Sequence, residues 1–124
     1  MSVKQLRKTP HETRRLRAYA RARIQGQVLI HNESHLYIAP LNNISAGGFF
    51  ADKLVTLEAG TEVRIVLRSP KFNIPIQAIG TVIRVVHEGN PGVAVEFTSI
   101  PQVAREMIQT AVFENKLETA LRIA

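Results

Sequence analysis

The chain of 124 residues is 45% apolar, carries a formal net charge of +6 and contains no cysteine. Its size suits one small domain with a single core, and without cysteine it can form no disulfide framework, zinc–thiolate site or thiol redox centre. No apolar run approaches the length that spans a bilayer and the N-terminus lacks the apolar stretch of a signal peptide, so a cytoplasmic protein is expected.

The positive charge is concentrated at the start of the chain. Eight of the 16 lysines and arginines precede residue 24. Residues 1–13 show little apolar periodicity, so we predict a flexible basic arm there. Such an arm suits an anionic partner: nucleic acid, a membrane surface or a phosphorylated small molecule.

Six short runs of alternating or β-branched residues follow and predict strands. They cover residues 24–30, 35–41, 47–52, 61–68, 74–86 and 92–97. The fifth run is long and is expected to bend at Gly80. Short antiparallel strands joined by tight turns indicate a closed or nearly closed barrel, so the predicted fold class is mainly β.

After residue 97 the apolar period becomes helical. Ser99 and Pro101 suit the start of a helix, the first as N-cap and the second in the first turn. Apolar residues then recur every three or four positions as far as Leu121, which predicts one amphipathic helix. We expect its stripe to cover an open end of the barrel. Its last two turns, from about Lys116, extend far enough to pair with another subunit.

Two short motifs flank the first predicted hairpin and together suit an anionic ligand. Arg17 and Arg21 stand four apart, and two guanidiniums can grip a phosphate or the face of a purine. Asn43, Ser45 and Gly48 fall in a predicted turn, where small polar side chains and bare backbone offer hydrogen bonds.

Each motif also has a purely structural explanation. Arg64 and Arg68 repeat the spacing of the arginine pair in an alternating strand, where solvent exposure accounts for them. The second motif fits an Asx-type turn in which Gly47 or Gly48 adopts positive φ. Their joint placement, one hairpin apart, is what favours a binding site.

The order and spacing of the two motifs resemble the signature of the PilZ domain family, RxxxR followed by [D/N]xSxxG. The resemblance continues through a closing hairpin in residues 79–97 and spans residues of about 14 to 98. Asn43 stands where aspartate is common in the family, and Ala20 where proline often precedes the second arginine. Neither departure removes a needed polar contact.

The resemblance implies a six-stranded antiparallel PilZ-type β-barrel. The chain would then comprise the flexible arm (residues 1–13), the barrel with its RxxxR linker (14–98) and a C-terminal amphipathic helix (99–124). The implied ligand is cyclic di-GMP, and no metal or other cofactor is implied. The implied ligand-binding residues are Arg17, Arg21, Asn43, Ser45 and Gly48, with Arg14, Arg15, Leu16, Ala46 and Gly47 as further candidate contacts.

By the same resemblance, ligand binding would fold the arginine linker over the barrel and create a surface for a downstream protein. Motility, biofilm or exopolysaccharide production would be the output. Leu16 stands where a third arginine would favour an intercalated ligand dimer, so one ligand per protomer is expected, although Arg14 and Arg15 keep two open.

Two other functions stay open. A small basic β-barrel could bind nucleic acid, although the aromatic and basic residues are not interleaved as on stacking surfaces. A PilZ-like adaptor could act through protein contacts alone, although every motif residue is retained.

No sequence pattern indicates catalysis. His31 and His35 have a spacing that suits a metal on a helix, but they flank a predicted turn and are expected on the surface with His11 and His87. A nucleophile motif, paired carboxylates and a Walker-type loop are not evident. The sequence therefore predicts a receptor or adaptor rather than an enzyme.

Overall fold

The structure is a computed structural model that describes residues 19–123. Its strands are β1 (Gln27–His31), β2 (Leu36–Ser45), β3 (Gly48–Ala51), β4 (Glu62–Arg68), β5 (Ile76–Val86) and β6 (Gly92–Ser99), followed by the helix α1 (Gln102–Ile123). The strands close into a barrel in the order β1-β2-β3-β6-β5-β4, and every neighbouring pair is antiparallel. The predicted six-stranded antiparallel barrel is confirmed.

Alternation of apolar and polar residues determines which side chains enter the barrel. In β4, Val63, Ile65 and Leu67 are buried, whereas Arg64 and Arg68 are exposed. Successive strand residues face opposite sides of a sheet, so one face of β4 fills the core and the other meets solvent. The arginine pair of β4 therefore lies on the outer wall, as the structural explanation predicts.

The predicted bend in the fifth strand coincides with a break in its pairing. The register between β5 and β6 shifts between Ile79 and Gly80. At Gly80 the backbone of β6 comes so close that an added Cβ would lie 2.6 Å from the Glu96 carbonyl oxygen. Glycine is needed here because of this approach between strands.

The helix begins three residues later than the predicted N-cap. Ser99 ends β6 and pairs with Ile79 of β5, so it does not cap α1. The Pro101 carbonyl accepts the hydrogen bond from the Arg105 N–H at 3.0 Å, which makes Pro101 the N-cap and not a first-turn residue. Strand pairing therefore overrides the local capping pattern around Ser99.

The apolar residues of α1 lie on two faces rather than on one stripe. Ala104, Ile108, Ala111 and Val112 are buried in the same core as the barrel. Leu117 is nine residues after Ile108, a rotation of about 180° around a helix. It is 49% exposed, and Phe113 and Leu121 are 66% and 68% exposed. The helix therefore covers the barrel only as far as Val112, and its last turns are exposed.

Within residues 19–123, no helix combines the length and apolar character needed to cross a membrane.

Candidate functional site

The structure brings Arg21 of the first motif to Asn43 of the second. The Arg21 Nη1 group donates a hydrogen bond to Asn43 Oδ1 at 2.9 Å. The next residue, Ala22, exchanges two backbone hydrogen bonds of 3.0 Å with Ile44 in β2. Burial of Ala22 and Ile24 fixes the alternation of this segment, so Arg21 is held on the exposed side. The end of the linker is thus docked along β2.

The turn between the motif residues is smaller than the sequence predicts. Asn43 and Ser45 belong to β2 and Gly48 begins β3, so only Ala46 and Gly47 form the turn. Among residues 19–123, the glycines with positive φ are Gly60 and Gly89. The prediction of positive φ at Gly47 or Gly48 was therefore wrong. Neither Gly47 nor Gly48 adopts the left-handed conformation. A side chain stabilises the turn.

That side chain is Ser45, which is fully buried. Its Oγ accepts a hydrogen bond from the Gly47 N–H at 3.1 Å and donates one to the Gly48 carbonyl oxygen at 3.4 Å. Both contacts lie inside the motif. The structure thus gives Ser45 the task of holding the shape of the turn.

Replacing Ser45 by alanine is expected to lower the free energy of unfolding by about 1–2 kcal/mol, because the buried Gly47 N–H loses its acceptor. Urea unfolding followed by circular dichroism measures this change. Ser69→Ala is the matched control, since Ser69 Oγ likewise accepts from an N–H two residues on, that of Lys71 at 3.1 Å, and donates to a backbone carbonyl, that of Gln25 at 2.6 Å, but is only half-buried. Water can replace both contacts there, so the control should lose less, under about 1 kcal/mol. Equal losses would contradict the assignment.

An aromatic residue and a further arginine adjoin Asn43, and sequence reasoning missed both. Phe50 is the cross-strand partner of Asn43, so their side chains share the outer face. The Arg84 guanidinium carbon lies 5.7 Å from the centre of the Phe50 ring, a cation–π contact. Gly92 leaves space for the ring, since a Cβ there would approach Phe50 Cζ to 2.2 Å. Strand pairing is the signal that could have found this group.

A second missed contact comes from α1. Arg105 Nη1 donates a hydrogen bond to the Ala46 carbonyl oxygen at 2.8 Å and another to the Tyr19 hydroxyl at 3.4 Å. Its guanidinium carbon also lies 5.7 Å from the centre of the Tyr19 ring. Tyr19 stands between the two arginines of the first motif. These contacts join residues 59 and 86 positions apart, so no local pattern in the sequence could indicate them.

A buried carboxylate lies on the same outer face. Glu96 pairs in register with Gly48 across β3 and β6 and is only 9% exposed. The described residues therefore bring together Arg21, Asn43, the Ser45 turn and Glu96. The other residues predicted for the site, Arg14, Arg15, Leu16 and Arg17, lie outside the described residues.

The histidines form no metal site in the described part of the chain. His31 and His35 are half-buried around the β1–β2 turn and His87 is exposed, while His11 lies outside the described residues. Over residues 19–123, no group of three or more histidine, cysteine or acidic side chains is placed to hold a metal ion.

The structure is thus a closed six-stranded barrel with an arginine-containing segment docked beside a small Asn/Ser/Gly turn. A family model of the PilZ domain matches residues 15–114. Because this match covers most of the chain, the chain belongs to the PilZ domain family. No curated protein matches it.

Solved structures share this fold. The Bacillus subtilis inhibitor of motility, MotI/DgrA, matches with a TM-score of 0.71 and 20% identity over 81% of this chain and 51% of that protein. Escherichia coli YcgR in complex with c-di-GMP matches with a TM-score of 0.70 and 15% identity over 85% of this chain and 48% of that protein.

A third structure is a tetrameric PilZ-domain protein from Xanthomonas campestris, self-assembled via a helical bundle. It matches with a TM-score of 0.53 and 13% identity over 73% of this chain and 52% of that protein. The chain spans about half the length of all three proteins. At these identities the similarity concerns the fold.

Proposed function

We propose that this protein is a cyclic di-GMP receptor that passes the signal to a downstream protein. The observation that carries the proposal is the Arg21–Asn43 hydrogen bond, which unites the two halves of the family signature on one surface. Membership of the PilZ family and the fold shared with the c-di-GMP complex of YcgR support the choice of ligand.

Arg21 suits this ligand chemically. Cyclic di-GMP presents two phosphates and two guanines, and a guanidinium can bond the O6/N7 edge of guanine or a phosphate with two parallel N–H groups. Arginine has five N–H donors, and the described contact with Asn43 uses one. Asn43 therefore orients the Arg21 side chain while leaving donors for the ligand. Arg17 supplies the second guanidinium in this proposal.

In this proposal, ligand binding folds the arginine linker over the barrel. Tyr19 of the linker contacts α1, and Ala22 pairs with β2, so the segment around Arg21 lies against the barrel. A ligand that bonds both Arg17 and Arg21 would extend this surface along the linker.

Another protein would recognise the new surface. The process regulated in this way would be motility, biofilm formation or exopolysaccharide production. The inhibitor of motility from Bacillus subtilis shares the fold, which supports motility among these. Self-association through the exposed face of α1 stays a prediction, and the helical-bundle assembly of the Xanthomonas campestris protein supports it. We expect the protein to work in the cytoplasm and to bind its ligand without converting it.

The unmodified protein is expected to bind cyclic di-GMP saturably, one ligand per protomer, and not GTP. Isothermal titration calorimetry at low and high salt measures both affinity and stoichiometry. Binding that collapses as salt rises, with little preference among nucleotides, would point instead to nucleic acid. If no nucleotide gave a heat of binding, the result would favour the alternative function, an adaptor that acts through protein contacts alone. Both results reject the receptor.

A further inference from the structure

Helix α1 holds the arginine linker at two separate points. Near its start, Arg105 contacts the hydroxyl and ring of Tyr19. Further along, Asn115 Nδ2 donates a hydrogen bond to the Arg23 carbonyl oxygen at 3.3 Å. The two contact points are ten residues apart on the helix, about 15 Å, and four residues apart on an extended linker, about 13 Å. The linker therefore runs alongside the helix between these contacts.

The opposite side of the linker contacts the barrel. Ala22 pairs with Ile44 of β2, and the side chains of Ala22 and Ile24 are buried in the core that also includes Ile108 of α1. The linker thus lies between β2 and the helix. Its position depends on both elements.

The Arg105 side chain connects three elements: the helix α1, the linker and the motif turn. Arg105 belongs to α1, contacts Tyr19 of the linker and donates its shortest described hydrogen bond, 2.8 Å, to the Ala46 carbonyl oxygen in the turn. Ala46 is buried, and a charge-assisted bond to its carbonyl is stronger than a neutral one. Rotation of the Arg105 side chain would therefore break the contact of α1 with the turn and its contact with Tyr19 together.

We infer that Arg105 is a positioning residue of the ligand site and that docking of α1 is coupled to ligand binding. This inference rests on the proposed function. The helix holds Tyr19 and Ala46 in the arrangement that presents Arg21 and Asn43. Coupling between two equilibria is reciprocal, so the bound ligand in turn strengthens the docking of α1. The helix then reports the state of the ligand site to a partner protein.

The experiment compares cyclic di-GMP affinity in the unmodified chain, Arg105→Ala, Arg105→Lys and the control Arg122→Ala. Arg122 is an exposed arginine in the last turn of the same helix, so the control removes the same charge. We expect Arg105→Ala to weaken binding about tenfold, because the turn loses a charge-assisted hydrogen bond. Arg105→Lys should recover part of the loss, since lysine can bond the carbonyl but lacks the planar group that stacks on Tyr19. Arg122→Ala should bind within about twofold of the unmodified chain.

Hydrogen exchange supplies a readout that a purely structural role would not change. The α1 amides should exchange more slowly when cyclic di-GMP is added to the unmodified chain, and this protection should be reduced in Arg105→Ala. Without ligand, Arg105→Ala should accelerate exchange of the Ala22 amide, which bonds to Ile44. Arg105→Lys serves the same comparison if Arg105→Ala fails to fold.

The outcomes separate the two proposals. If the unmodified chain binds and Arg105→Ala binds equally well, the positioning role is rejected and the receptor stands. If the ligand leaves α1 exchange unchanged, the coupling is rejected. If the unmodified chain does not bind, the receptor and the coupling both fail, and Ala22 exchange alone decides whether Arg105 positions the linker.

Discussion

Replacement of Arg21 by alanine should weaken binding of cyclic di-GMP by about 100-fold or more. The substitution removes a guanidinium that can make two charge-assisted hydrogen bonds to the ligand, each contributing about 1.5–3 kcal/mol, and tenfold in affinity corresponds to about 1.4 kcal/mol. The melting temperature should hardly change, because Arg21 is exposed and its bond to Asn43 lies at the surface. Calorimetric titration and thermal unfolding measure the two effects.

Arg64→Ala is the matched control for this experiment. Arg64 is exposed on β4 and forms, with Arg68, a second pair at the same spacing. Its removal changes the net charge equally, so it should leave affinity within about twofold if the ligand recognises a site rather than a positive surface. Equal losses in both variants would favour nonspecific attraction of anions. Unchanged affinity in Arg21→Ala would show that Arg21 does not contribute to ligand binding.

Much of the barrel could be predicted because its strands obey a local rule. The alternation in β4 indicates which of its residues face the core, whereas β6 is buried continuously over residues 92–97 and shows no such period. Predicted boundaries differ from the structure mainly at strand ends. β2, for example, runs on to Ser45 because Ile44 and Ser45 pair with Phe49 and Gly48 of β3. Such extensions depend on a partner strand, which a local pattern cannot show.

The helix shows the same limit at longer range. Its apolar spacing predicts a helix, but it does not show how far along the helix the contact with the barrel core extends. Leu117 and Leu121 continue a helical period, yet they lie on the face opposite to Ile108 and stay exposed. Similarly, the pattern around Ser99 fits an N-cap, but pairing with Ile79 keeps that residue in β6. Tertiary packing decides both outcomes.

The candidate site was predictable only where its residues belong to a known signature. The meeting of Arg21 with Asn43 agrees with the joint placement of the two motifs. The Ser45 hydroxyl bonds within the turn, as the structural explanation of the motif predicts, and its contact with a ligand stays a prediction. Arg105 belongs to no signature, and only the docking of α1 brings it to Ala46. Residues of a family signature can thus be found from the sequence, whereas a residue brought to the same place by tertiary packing cannot.

The barrel itself should be sensitive to substitution at Gly80. A Cβ at this position would lie 2.6 Å from the Glu96 carbonyl oxygen, 2.7 Å from Val95 Cγ1 and 2.8 Å from Ile65 Cδ1. The closest neighbour is backbone, so β5 and β6 must separate to admit even a methyl group. We expect Gly80→Ala to lower the free energy of unfolding by about 3 kcal/mol, which for a domain of this size lowers the melting temperature by more than about 10 °C. Urea and thermal unfolding followed by circular dichroism test this.

Gly60→Ala separates this steric effect from the loss of glycine flexibility. Gly60 has a φ of 96° but nothing within 4 Å of the added Cβ, so its replacement should cost only the strain of a left-handed backbone, about 1 kcal/mol. Gly60→Asn should cost less than Gly60→Ala, because asparagine tolerates that conformation better. If Gly80→Ala costs no more than Gly60→Ala, the strands can part at Gly80 without loss, and the close approach does not hold the barrel closed. If the larger cost is found, β5 and β6 cannot separate cheaply at Gly80, and their close contact helps to hold the barrel closed.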